Sequence, residues 1–196
     1  MAEITIDAIK KLKELSGVGL TDAKKALVEA AGDFDKALKA MREKGLTKAE
    51  KRSDRETREG VVASYIHDNR LGAIVEVNCE TSFVANTDEF KELAHKLAMQ
   101  IASMDPLYVS ENDIPEKARK EKVAEFEAKF KGPAKMKDQI IDGQVKKAFS
   151  DKVLMLQPYI LDDTKTVAEY IKEMIAKTGE NITVRQFKRI ELGVNE

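Results

Sequence analysis

The sequence has one cysteine, no tryptophan, two histidines and an aromatic content of only 6% in 196 residues. The single cysteine, Cys79, excludes an internal disulfide framework and a Cys-rich zinc site. It suits a reducing compartment, the cytosol. His67 and His95 belong to no HExxH or comparable ligand spacing, so they read as surface or boundary residues rather than metal ligands. Scarce aromatics leave little for stacking on nucleic-acid bases. Charge of one sign is also missing. The 34 Lys and Arg nearly cancel the 35 Asp and Glu, and no single-sign block marks a nucleic-acid tail. No run approaches the ~20 apolar residues needed to span a bilayer. Met1-Ala2-Glu3-Ile4 lacks the basic and long apolar regions of a signal peptide. There is no Gly-rich loop ending in Gly-Lys-Ser or Gly-Lys-Thr, and no nucleophile–base or metal constellation. The expectation is a soluble cytoplasmic protein that is not an enzyme. It needs no cofactor and no metal, and it binds neither membrane nor nucleic acid directly.

What is present is a mixture of amphipathic helices and short strands, with 42% hydrophobic and 35% charged residues. That is enough apolar material to bury a core without staples. Ile6, Ile9, Leu12 and Leu15 recur at helical spacing before Ser16-Gly17-Val18-Gly19-Leu20 breaks the helix. Gly17 and Gly19 read as shaping a turn. Thr21 is expected as the N-cap of a second helix striped by Ala23, Ala26, Leu27 and Ala30. Gly32-Asp33 ends it. Phe34, Ala37, Leu38 and Met41 line a third helix, closed by Gly45. Residues 46–59 are mostly polar and mix both charge signs, so they read as a solvated, partly helical linker.

Beyond the linker, Gly60–Asp68 and Leu71–Val77 read as an antiparallel hairpin joined at His67-Asp68-Asn69-Arg70. Thr87 caps a helix striped by Phe90, Leu93, Ala94, Leu97, Ala98 and Ile101, with Asp88 and Glu89 suited to its dipole. A helix over 115–131 carries Val123, Phe126 and Phe130 on one side, and is either an exposed arm or a lid. Another helix carries Met136, Ile140, Ile141, Val145 and Phe149. Tyr159–Asp163 connects onward to a last helix, capped by Thr166 and ended by Gly179. Ile182–Leu192 is a third strand of imperfect alternation, because Gln186 and Lys188 share a face with Val184 and Ile190. The predicted class is α+β. It has an N-terminal three-helix bundle (1–45), a linker (46–59) and a core (60–196) with a small antiparallel sheet of about three strands packed with helices.

The segment Asn78-Cys79-Glu80-Thr81-Ser82-Phe83-Val84-Ala85-Asn86 places an apolar Phe-Val pair on a polar turn between strand and helix. From spacing alone Phe83 reads as a core residue. The alternative is an aromatic presented to another protein from a stiff support. Cys79 shares a strand face with Val75 and Val77 and reads as a small buried hydrophobe. An interchain disulfide is the minority alternative.

Two long motifs carry a resemblance. Leu12-Lys13-Glu14-Leu15-Ser16-Gly17-Val18-Gly19-Leu20-Thr21-Asp22-Ala23-Lys24-Lys25-Ala26-Leu27 and Val75-Glu76-Val77-Asn78-Cys79-Glu80-Thr81-Ser82-Phe83-Val84-Ala85 resemble signatures of the translation elongation factor Ts family. Leu156-Gln157-Pro158 and Gly179-Glu180-Asn181-Ile182 also look like family runs. The central triplet departs from the usual Thr-Asp-Phe, with Ser82 in place of the acid. Leu20-Thr21 stands where Met-Met is usual.

The resemblance implies a ubiquitin-associated (UBA) type N-terminal bundle in the compact form of the family. It implies guanine nucleotide exchange on GDP-bound elongation factor Tu. Thr81, Ser82, Phe83 and Val84 would wedge near the partner's phosphate site and dislodge its Mg²⁺, with Phe83 as main wedge and Val84 packing beside it. Lys13, Val18, Gly19 and Leu20 would be the N-terminal partner contact. The resemblance also admits a homodimer through the sheet domain, giving a 2:2 complex. The alternative reading is a non-catalytic protein- or RNA-binding adaptor built on a UBA-like module.

Overall fold

The computed structural model describes residues 4–16, 19–41, 52–130 and 136–194, without the side chains of Glu14 and Leu15. Expectations for Gly17, Val18, Gly45 and residues 46–51 of the linker lie outside the described residues. The fold is α+β, with eight helices and a three-stranded antiparallel sheet among the described residues. The chain forms two compact units. One gathers Met1–Ala63, Glu76–Ala94 and Ala168–Val184, the other Ser64–Val75, His95–Val167 and Arg185–Glu196.

At the N-terminus, α1 (Ile6–Ser16), α2 (Leu20–Glu29) and α3 (34–41) close around Ile9, Leu12, Ala23, Ala26, Leu27, Ala37 and Met41. The small Ala residues let the helices approach closely, while Phe34 and Leu38 pack at the margin. The N-cap of α2 is Gly19 rather than Thr21. Gly19 is extended (φ −65°, ψ 153°), and its carbonyl already accepts from Ala23 N at 3.0 Å, so Thr21 is drawn into the first turn. The end of α2 carries a Schellman pattern. Gly32 N donates to Leu27 O (2.8 Å) and Ala31 N to Val28 O (3.0 Å), with Ala31 itself left-handed at φ 53°. Asp33 Oδ1 then accepts from Lys36 N and caps α3.

The sheet has strand order β1 (Glu59–His67), β2 (Leu71–Cys79), β5 (Ile182–Glu191). Asp68 (φ 48°) and Asn69 (φ 56°) are both left-handed, and Arg70 N donates to His67 O at 3.0 Å. This is a two-residue type I′ turn, whose twist matches the strands it joins. Residues 52–58 are turns, a bend and irregular chain. The central strand β2 buries Ala73, Val75, Val77 and Cys79, and runs two residues past its expected end.

The imperfect alternation of β5 has a structural cause. Ile182 and Val184 are buried, then Phe187 and Arg189 turn inward while Lys188 and Ile190 are exposed. The pattern changes phase between 184 and 187, which moves every later side chain to the opposite face. Arg189 Nε accordingly reaches Ala102 O (3.0 Å), and its guanidinium pairs with Asp105 and Glu191.

All six stripe residues of α5 (Asp88–Met104) are buried as expected. The stripe of α6 (Glu116–Lys129) is packed rather than free. Val123, Phe126 and Phe130 lie against Ile141, Val145 and Phe149 of α7 (Lys137–Ser150). Met136, expected with that core, is half exposed because it precedes the helix.

The connection expected at Tyr159–Asp163 is instead a hairpin of β3 (Pro158–Tyr159) and β4 (Asp162–Thr166), leading into α8 (Val167–Thr178). Two fully buried amides hold it. Gln100 Nε2 donates to Gln157 Oε1 and Pro158 O, Gln100 Oε1 accepts from Ile160 N, and Gln157 Nε2 donates to Met104 O and Asp151 O. Satisfied networks of this kind specify a unique arrangement.

Gly60 meets β2 more tightly than any side chain allows. A Cβ there would sit 2.2 Å from Val77 O. Gly60→Ala should therefore lower stability by about 1–3 kcal/mol, as overpacking does. A urea unfolding midpoint unchanged from wild type would show that the strands separate to accept the methyl group.

Candidate partner-binding corner

The corner begins where β2 ends. Glu80 bends away from the strand, and Thr81 (φ −129°, ψ 152°) is the N-cap of α4 (Ser82–Ala85), a single helical turn. Asn86 closes that turn, its Nδ2 donating to Ser82 O at 2.8 Å. Thr87 links it to α5. Its hydroxyl donates to Val84 O (2.7 Å) and accepts from Phe90 N (3.2 Å), as expected of the cap.

Two glutamates fix the corner. Glu180 Oε2 accepts from the backbone N–H groups of Glu80 (3.1 Å) and Thr81 (3.0 Å), and its Oε1 accepts from the Thr81 hydroxyl at 2.6 Å. In return Glu80 Oε1 accepts from Asn181 N at 2.6 Å. The same oxygen pairs with Arg55 at 3.4 Å. The Asn181 side chain donates to Ser53 O and Arg55 O. Lys177 on α8 forms an ion pair with Glu89 on α5. Hydrogen bonds to ionised acceptors are about twice as strong as neutral ones.

Phe83 is 82% exposed, whereas Val84 and Ala85 are buried beneath it. The apolar spacing that reads as core is thus split. Val84, expected beside Phe83 at the tip, is the anchor on the opposite side of the turn, because adjacent helical residues point about 100° apart. Thr81 and Ser82 are exposed with Phe83. Lys13, Gly19 and Leu20 are each exposed, and Val18 lies outside the described residues. Spacing offered no reason to single out Glu80 and Glu180. The run Gly179-Glu180-Asn181-Ile182 was the available signal, without a role attached.

Cys79 is fully buried, and its Sγ donates to Thr81 O at 3.3 Å. Burial first, and then the Glu180 charge, pushes its thiol up to about 11. It is the inert hydrophobe expected of that strand face. Among the described residues no three or more His, Cys, Asp or Glu side chains gather to hold a metal ion. No helix among them is long and apolar enough to cross a membrane.

The family model described as Elongation factor TS matches residues 3–194. The chain belongs to the elongation factor Ts family. It is 49% identical over 193 residues to the elongation factor Ts of Thermotoga petrophila, covering 97% of each chain. The elongation factor Ts of Coprothermobacter proteolyticus is 46% identical over 198 residues, 97% of this chain and 99% of that one. The protein of the same name from Caldanaerobacter subterraneus subsp. tengcongensis is 44% identical over 194 residues, covering 97% of each. As an elongation factor Ts family member, the protein takes its place among translation elongation factors.

The Cys79 thiol has a measurable consequence. Its folded value of about 11 lies above the ordinary 9.0, so the native state keeps a proton that the unfolded chain loses. The resulting stabilisation is complete below pH 9 and is lost as pH rises toward 11, by about 2–3 kcal/mol in all. Urea unfolding of wild type and Cys79→Ala between pH 8 and 11 should show a steeper fall for wild type. Parallel pH profiles would refute the assignment.

Proposed function

We propose that this elongation factor Ts family member is the guanine nucleotide exchange factor for elongation factor Tu, binding its GDP form and speeding GDP release so that GTP can enter. The observation that carries this reading is the exposed Phe83, held on a corner clamped from both sides. A large apolar ring left in water at the end of a stiff support gains about 1.5–3 kcal/mol when a partner buries it. That gain is available to distort the partner's phosphate site. Thr81, Ser82 and Phe83 form the face that meets the partner, with Val84 anchoring from below. Displacing the partner's Mg²⁺ removes one of the largest charges holding the nucleotide. Linkage supplies the rest: a factor that weakens nucleotide binding is itself weakened equally by nucleotide, so GTP ejects it. The chain's own groups form and break no covalent bond.

In the same reading residues 1–45 act as the bundle that meets the nucleotide domain through Lys13, Val18, Gly19 and Leu20. Residues 46–59 are the linker and 60–196 the core, in a cytoplasmic protein. A 2:2 complex is part of the proposal. Ile66, Ile74 and Ile190 are 67%, 47% and 74% exposed on sheet strands, apolar surface that a second copy would cover.

Release of fluorescent GDP from purified elongation factor Tu tests the function. Wild type should accelerate it by orders of magnitude. Phe83→Ala should cut the effect at least about tenfold, the loss of one buried anchor, without lowering the melting temperature. Binding that leaves GDP in place would favour the adaptor instead. In sedimentation, Ile66→Lys should turn a dimer into a monomer; a wild-type monomer would remove the 2:2 complex.

A further inference from the structure

We infer that Glu180 is a positioning residue for exchange, acting through Phe83 although it lies about a hundred residues further along the chain (|i−j| = 99 to Thr81). The inference rests on the exchange reading above and adds to it the group that aims the wedge.

A four-residue helix such as α4 has no independent stability, because one turn does not repay the cost of nucleation. Its direction must come from outside. Phe83 cannot supply that direction, since at 82% exposure it has little of its own domain to rest on. Val84 and Ala85 seat the turn from below, but apolar burial is non-directional. At its N-terminal side Cys79 Sγ donates weakly to Thr81 O, and the remaining donors converge on Glu180. Its two oxygens hold the N–H groups of Glu80 and Thr81 and the Thr81 hydroxyl. Thr81 Oγ1 then faces Val84 N at 3.4 Å, a long bond that continues the chain of contacts from carboxylate to helical turn.

Glu180 is itself held. It sits between the end of α8 and Asn181, whose backbone N–H is bound by Glu80 and whose side chain is bound to Ser53 O and Arg55 O. Both ends of the clamp are therefore fixed, and its bonds tie the turn after β2 to the turn after α8, beside the Lys177–Glu89 ion pair. Without the carboxylate, the Phe83 ring would sample several directions, and binding would have to order it again.

The test uses the full chain with Glu180→Ala, Glu180→Gln, Thr81→Val, Phe83→Ala and the double variant Glu180→Ala/Phe83→Ala. Fluorescent-GDP release from elongation factor Tu is measured over a range of exchange-factor concentrations. Amide hydrogen exchange is read at Thr81 and Val84. Glu180→Ala should lower the exchange rate roughly tenfold, the scale of lost hydrogen bonds to a charged group. Glu180→Gln keeps an acceptor for the two N–H groups and should recover most of the rate. Thr81→Val removes only the hydroxyl step and should fall between wild type and Glu180→Ala.

The decisive comparison is the double variant. If Glu180 acts through Phe83, adding Glu180→Ala to Phe83→Ala costs nothing further. Additive losses, or a wild-type rate in Glu180→Ala, would overturn the inference. Should Glu180→Ala fail to fold, Glu180→Gln and Thr81→Val in the Phe83→Ala background carry the same comparison. Amide exchange separates the two layers of the argument. Faster exchange at Thr81 and Val84, with a wild type that does not release GDP, refutes the exchange function and with it the role of Glu180 there, while the clamp stands. Unchanged amide exchange refutes the clamp itself.

Discussion

Two carboxylates exchange places in this structure: Glu180 binds the backbone at Glu80 and Thr81, and Glu80 binds the backbone at Asn181. Each turn is held by the side chain of the other. Backbone N–H groups at the ends of elements need acceptors, and here the acceptors are ionised groups from a distant part of the chain. This reciprocal bonding fixes where β2 hands over to α4 and where α8 hands over to β5. The exposed side of the corner depends on it, because α4 is too short to orient itself.

The surrounding core makes that bonding possible. The buried stripe of α5, the inward face of β2 and the buried residues of α8 are apolar and nearly free of solvent. Among the described residues three of the four buried polar side chains, Gln100, Gln157 and Asn181, hold chain segments in place, while Asn78 Oδ1 is buried without a partner. Gln100 and Gln157 locate the β3–β4 hairpin, and Asn181 locates the turn after α8. Apolar burial supplies the bulk of stability, and hydrogen bonds with defined partners supply position.

Much of this was legible in the sequence. The stripes of α2 and α5 follow the helical period, that of α1 holds at Ile9 and Leu12 while Ile6 is exposed, and the β1–β2 hairpin follows from alternation around Asp68-Asn69. The exposure of Phe83 was not legible from spacing. Val84 and Phe83 are both apolar, and which of two neighbours faces inward depends on where the helical turn starts, a matter settled by Thr81 as cap. The β3–β4 hairpin was missed because Asp162-Asp163-Thr164-Lys165 carries no apolar alternation and is held through Gln100, far away in sequence. The phase change in β5 left only a blurred pattern at Gln186 and Lys188. Glu80 and Glu180 were invisible for the same reason as Gln100: a long-range polar bond has no local period.

The bonds that build the corner use the backbone of residues 80, 81, 82 and 84 and the side chains of Cys79, Glu80, Thr81, Asn86, Thr87 and Glu180. They use neither the Ser82 nor the Phe83 side chain. Sequence drift at those two positions therefore removes none of the corner's hydrogen bonds. The side chains at 82 and 83 can be exchanged for others without breaking any of these bonds. The side chains most open to water on this corner are thus ones its hydrogen bonding does not require.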